Sequence, residues 1–338
     1  MPDYRRTLPI VYCQLPIDVL PAGVILQLFI CVMLSVLFNK RFLTGYLLIG
    51  YLFSSCNKNA VPATTVTDKP TATISVQLKH TLPGQLQESS GLCYTDGSLW
   101  SFGDSGNPNS IYKIDTATGA ILQTVTITNF SNTDWEDMTA DSLYLYIGDT
   151  GNNDGNRTDL KILRIRKADL LAASAQVSVL ADSIKFSYTD QTSFSYNSNT
   201  NFDCEALIAA GNNLYTFTKD RGDFKTRCYK LPKDPGTYAV SPVSTFEVNG
   251  KITDAAYNAV TRELALLGYM DQKANSFLWF FNGYEGDHFF AGSSSRVTIG
   301  RSSDEWQTEG LSYISSTRLL LSCETTPAHA ASLYNVQK

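Results

Sequence analysis

Carboxylates bracket short apolar stretches at several places in this chain. Gathered together, such groups hold a hard cation or move protons. The segment "TDWEDMTADSLYLYIGDTGNND" (133–154) opens on Asp134 and Glu136 and reaches Asp149 on the far side of an apolar run. "FDCEALIAAGNNLYTFTKDRG" (202–222) has the same plan with Asp203, Glu205 and Asp220, and "QTEGLSYISSTRLLLSCETT" (307–326) has it with Glu309 and Glu324. Oxygen-only sets of this kind suit Ca²⁺ or Mg²⁺. Glu136, Asp149, Glu205, Asp220, Asp254, Glu309 and Glu324 are therefore the candidate cation ligands. Of the three histidines, His80, His288 and His329, only His329 falls, by the repeat alignment, in a loop on the acid-bearing face. It joins Glu136, Glu205 and Glu309 as a catalytic candidate. No GxSxG, HExxH, phosphate-binding or dinucleotide-binding motif occurs. Acids at strand ends also cap turns by accepting backbone N–H bonds, and that alternative stays open.

The elements that must position these acids form a repeat. "ESSGLCY" (88–94), "DWEDMTA" (134–140), "DCEALIA" (203–209), "TDAAYNA" (253–259) and "TEGLSYI" (308–314) each precede an apolar second strand, and a third strand follows. Anchored on Ser90, Glu136, Glu205, Asp254 and Glu309, the spacings are 46, 69, 49 and 55 residues. A fourth strand follows in four units, "ILQTVTIT", "SIKFSYT", "VSTFEV" and "RVTIG", while the fifth unit stops short of one. The unassigned "ATISVQLKHTL" (72–82) fills that vacancy. The expected fold is all-β, a propeller of four-stranded blades closed by an N-terminal strand. The repeat count gives five blades, with six still open if the long second unit hides strands. The two ends of each hairpin lie side by side, so the acids should gather at one channel mouth, with Glu88 beside them. The loops on that face supply the expected rim: Asp104, Asn152, Asn153, Arg157, Arg221, and, from "TDQTSFSYNSNTN" (189–201), Phe194 and Tyr196.

The motifs "DWEDM", "IGDTGNNDGNRTDLKI" and "SIYKIDTATG" resemble those of exported Bacteroidetes β-propeller lipoproteins. More distantly, the "EGL"-type first strands resemble the SdiA-regulated, phytase-like and TolB-like propeller families. The phytase-like resemblance implies calcium held by mouth carboxylates and a phosphoester substrate. The acids fit that picture, but no dense Lys/Arg phosphate clamp accompanies them.

Charge and composition narrow the partners. The chain has 338 residues, a net charge of −5 and no basic run in the body, which argues against nucleic acid. Residues 22–38 are an uncharged apolar run, followed by Asn39, Lys40 and Arg41, a second apolar run at 42–53, and "SSC". Phe53-Ser54-Ser55-Cys56 resembles a lipobox, which implies a signal peptide over 33–56, lipidation of Cys56 and a flexible tether over 57–71. On this reading Met33 is the start, residues 1–32 are an upstream misread or a membrane segment, and 72–338 is the propeller. The "NKNAVP" after Cys56 leans toward a periplasm-facing anchor. An uncleaved transmembrane segment is the competing anchor. Cys93, Cys204, Cys228 and Cys323 have no CxxC spacing, so they are either disulfide-bonded in one of three pairings or buried free thiols. The leading expectation is a lipid-anchored envelope protein that binds a small polar or glycan ligand at a cation-holding mouth. A Ca-dependent phosphoesterase or esterase and a scaffold docking an envelope protein are the alternatives.

Overall fold

Each hairpin owes its place to a gradient of burial along the repeat. Second strands are apolar on both faces: every residue of "ELALLGY" (263–269) is buried. Outer strands alternate, as in "DSIKFSY" (182–188), where Ile184, Phe186 and Tyr188 are buried. Strands buried on both faces belong in the middle of stacked sheets, and alternating ones near the rim.

A computed structural model of the chain describes residues 74–270, 275–300 and 305–338. The expected leader with Cys56 and the tether lie outside these residues. Among the described residues no helix is long and apolar enough to cross a membrane. The described residues open with β1 (Ser75–Thr81). The first sheet follows as β2 (Ser89–Thr95), β3 (Ser98–Gly103), β4 (Ser110–Ile114) and β5 (Ile121–Ile127). The second takes β6 (Trp135–Ala140), β7 (Tyr144–Asp149) and β8 (Lys161–Arg166), detours through β9 (Gln176–Val179), and returns as β10 (Asp182–Tyr188). In the third, β11 (Cys204–Ala210), β12 (Asn213–Thr218) and β13 (Thr226–Pro232) precede a detour through β14 (Gly236–Val240) and then β15 (Pro242–Phe246). The fourth is β16 (Lys251–Asn258), β17 (Glu263–Tyr269), β18 (Phe277–Asn282) and β19 (Ser293–Thr298). The fifth is β20 (Thr308–Tyr313), β21 (Arg318–Cys323) and β22 (Ser332–Gln337), completed by β1.

The first strands meet in a closed ring: β2 with β6, β6 with β11, β11 with β16, β16 with β20, and β20 with β2. Five apolar clusters fill the five gaps between adjacent sheets, for example Phe102 with Trp135 between the first and second. This is a five-bladed propeller. The long second unit does hide a strand, but not a sixth blade. β9 leaves the second blade to pair in parallel with β5 of the first, and β14 of the third unit likewise pairs with β10 of the second. The four body cysteines are buried free thiols.

Candidate functional site

Every first strand carries a one-residue bulge at the same height. The pairing register shifts between Ser89 and Leu92, Trp135 and Asp137, Cys204 and Ala206, Ile252 and Asp254, and Thr308 and Gly310. A bulge re-aims the extra side chain. Here the extra residues are Glu136, Glu205, Thr253 and Glu309, with Ser90 at the same level. Ser90, Glu136, Glu205 and Glu309 line a cavity of about 300 Å³ together with Asp104, Asn153, Lys219, Arg221, Tyr269, Gln307 and Glu324. Gly151 lets the second blade bring its acids this close, because a Cβ there would overlap both Glu136 Oε1 and Asp134 Oδ2.

Three expected ligands lie elsewhere, each for a reason of register. Asp254 is one position past the bulge, so it matches Asp137 and not Glu136. Both are buried in the channel and stitch blades together. Asp137 Oδ2 accepts the Leu207 N–H at 2.6 Å, and Asp254 Oδ2 accepts the Leu311 N–H at 2.8 Å. Asp149 pairs directly with Trp135, one residue before the mouth level, and is held by Arg157 at 2.9 Å and Lys161 at 2.8 Å. Asp220 lies one residue beyond that level and is paired with Arg227. Side chains alternate along a strand, so a slip of one residue sends each of these away from the cavity.

The rim is also corrected in part. Asp104, Asn153 and Arg221 line the mouth. Asn152 instead fixes the adjoining loop, its N–H donating to Asp203 Oδ1 at 2.7 Å and its Oδ1 accepting from Arg157 N at 2.9 Å. Arg157 also donates to Gly151 O at 2.7 Å. Phe194 and Tyr196 are exposed and line no part of the cavity. His329 sits in the turn after β21, its N–H bonded to Thr326 Oγ1 at 3.1 Å, and it is not a lining residue either.

The strand register also reveals what the sequence reading missed. Lys219 stands at the level of Asp104, Tyr269 and Glu324 in the other blades. Its ammonium pairs with Glu205 and lies 5.2 Å from the Tyr269 ring centroid. Burial opposes charging Lys219, but Glu205 and its neighbours outweigh that and hold its pKa well above the usual value. Its place in "TFTKD", one residue before the chosen acid, was the available signal.

Crowding raises the acids. Burial and then Asp104 push Asp134 up to about 7. Burial pushes Glu309 to about 7, and burial with Glu309 pushes Glu324 to about 9. Glu136 is raised well above the usual range by burial, then by Glu205 and Asp104. Two trios of carboxylates, Asp104–Asp134–Glu136 and Glu136–Asp203–Glu205, each bring one oxygen per residue within 4.8 Å of the others. Glu136 belongs to both.

No known family model matches the chain, and no curated protein matches it. Among the solved structures that show similarity are the following three. Hydrazine synthase from Kuenenia stuttgartiensis is 12% identical with a TM-score of 0.35, over 71% of this chain and 57% of that one. A chain of the mitotic checkpoint complex is 12% identical with a TM-score of 0.34, over 73% of this chain and 62% of that one. The alignment thus spans less than two thirds of either protein. Penicillium chrysogenum alpha-L-arabinanase, solved with arabinobiose, is 8% identical with a TM-score of 0.45, over 78% of this chain and 98% of that one. At such identities the likeness concerns architecture and leaves the chemistry of the mouth to its own residues.

Proposed function

We propose that the channel mouth is a divalent-cation site, for Ca²⁺ or Mg²⁺, held by Asp104, Asp134 and Glu136, and that the protein is a binding module. It takes up a small polar or glycan ligand beside the ion. The leader's lipobox-like cysteine supports a lipid-anchored place in a bacterial envelope. One observation carries the cation reading. Glu136 is 6% exposed and belongs to both carboxylate trios, with an oxygen of Asp104 and one of Asp134 within 4.8 Å of its own. A buried carboxylate is costly without a compensating charge, and the oxygens of Asp104 and Asp134 beside it can share one with it. All donors are oxygen, which suits hard cations. The cavity walls beyond are polar apart from the Tyr269 ring, which suits a hydroxyl-rich ligand and not an apolar one.

The test is thermal denaturation of the chelator-treated chain with and without Ca²⁺ or Mg²⁺. At an ion concentration of 100 times Kd, binding stabilises by about 2.7 kcal/mol. Glu136→Gln removes the shift. An unchanged melting temperature with both ions overturns the reading.

A further inference from the structure

The two carboxylate trios look equivalent by distance but differ in what already sits on them. The trio of Glu136, Asp203 and Glu205 is supplied with cations by the chain itself. Lys219 pairs with Glu205, and Arg221 donates to Asp203 Oδ2 at 2.7 Å and to Glu205 Oε1 at 3.4 Å. These side chains are largely buried, with Lys219 at 6% and Glu205 at 4% side-chain exposure, so water screens the pair little. No such ion pair reaches Asp104, Asp134 or Glu136 among the described residues. The difference lies at the mouth end of the third blade, which supplies both Lys219 and Arg221. At the mouth end of the second strand the first blade places Asp104 and the fifth Glu324, while the third places Lys219, steadied by the Tyr269 ring of the fourth.

Resting on the cation reading above, we infer that Lys219, with Arg221 beside it, is a built-in counter-ion that limits the mouth to one divalent cation. The ammonium takes the place a second ion would need on the Glu205 side. Glu136, shared by both trios, is left to serve the first alone. An ion entering the second trio would have to approach an ammonium already bound to one of its ligands, and like charges at that range repel strongly in a buried site. Removing both the ammonium and the Arg221 guanidinium while keeping the three carboxylates frees Asp203 and Glu205 for an incoming ion.

Calorimetric titration of the full chain with Ca²⁺ alone, after chelation, reads this as stoichiometry. One ion is expected for the wild type, two for Lys219→Met/Arg221→Met, one for Lys219→Arg, and one again when Glu205→Gln is added to the double variant. If Lys219→Met/Arg221→Met does not fold by circular dichroism, Lys219→Gln/Arg221→Gln is the replacement, and it too should take two ions. One ion or none on the folded double variant, with one on the wild type, overturns the inference and leaves the cation reading standing. Two ions on the wild type overturn it as well. No ion on the wild type overturns the cation reading first, and this inference with it.

Discussion

The acids of the mouth set how stability responds to pH. Asp134 and Glu309 hold their protons up to about 7 when folded, against ordinary values of 3.8 and 4.5. Between those limits the folded chain binds more protons than the unfolded one, so stability falls as pH rises, and the cost is complete above about 7. Asp141 acts in the opposite sense. Burial works against it, but Lys233 at 2.9 Å and the N–H groups of Leu143 and Tyr144 outweigh that and bring it down to about 2. Its contribution is present above 3.8 and is lost as pH drops toward 2. In the presence of a chelator the melting temperature should therefore be higher at pH 5 than at pH 8. Asp134→Asn should shrink that difference, and a flat profile over this range would contradict the buried, crowded mouth. At this scale the sequence showed that acids converge but not which ones. Glu136, Glu205 and Glu309 were legible as first-strand acids. Asp149, Asp220 and Asp254 were each one residue out of register, and a bulge leaves no mark in composition.

Among the elements, the first strands bear most of the constraint, because each must lie against two neighbours around the channel. At the position after the bulge stand Gly91, Asp137, Ala206, Asp254 and Gly310. Asp137 and Asp254 bridge to the next strand through backbone N–H groups, whereas Gly91 allows direct contact. A Cβ on Gly91 would lie 2.7 Å from Met138 N and 2.8 Å from Asp137 Cα, both backbone atoms that cannot swing aside. Gly91→Ala should destabilise the protein by about 1–3 kcal/mol through this overpacking. Urea denaturation measures it, and a neutral result would mean that β2 and β6 are further apart than described. The four-stranded plan of the blades was readable from hairpin spacing and from the contrast between doubly buried and alternating strands. β9 and β14 were not. They are short and largely exposed, and what makes them strands is the open edge of the preceding blade, a partner distant in sequence.

For the whole molecule, closure of the ring rests on β1. It pairs with β22 from Ser75↔Gln337 to Thr81↔Ser332, and Leu82 N–H extends the ladder to Ala331 O at 2.7 Å. Val76 packs against the cluster between the fourth and fifth blades, so β1 also adds apolar contact there. The sequence signalled this strand through an arithmetic vacancy: five units, four fourth strands, and one spare strand at the other end of the chain. A chain lacking residues 1–82 would leave the β22 edge unpaired at the join between the two ends of the propeller. Each ladder hydrogen bond contributes only about 0.5–1.5 kcal/mol net, but β1 supplies a whole strand of them where the first and last described strands meet within one blade. A chain lacking only residues 1–70 keeps β1 and serves as the control. The longer deletion should melt at lower temperature, with a broader transition, and should associate as concentration rises because an open strand edge recruits a second copy. Denaturation and size-exclusion chromatography read these outcomes. If the two truncations melt together and both remain monomeric, the ring closes by blade packing alone and β1 is dispensable.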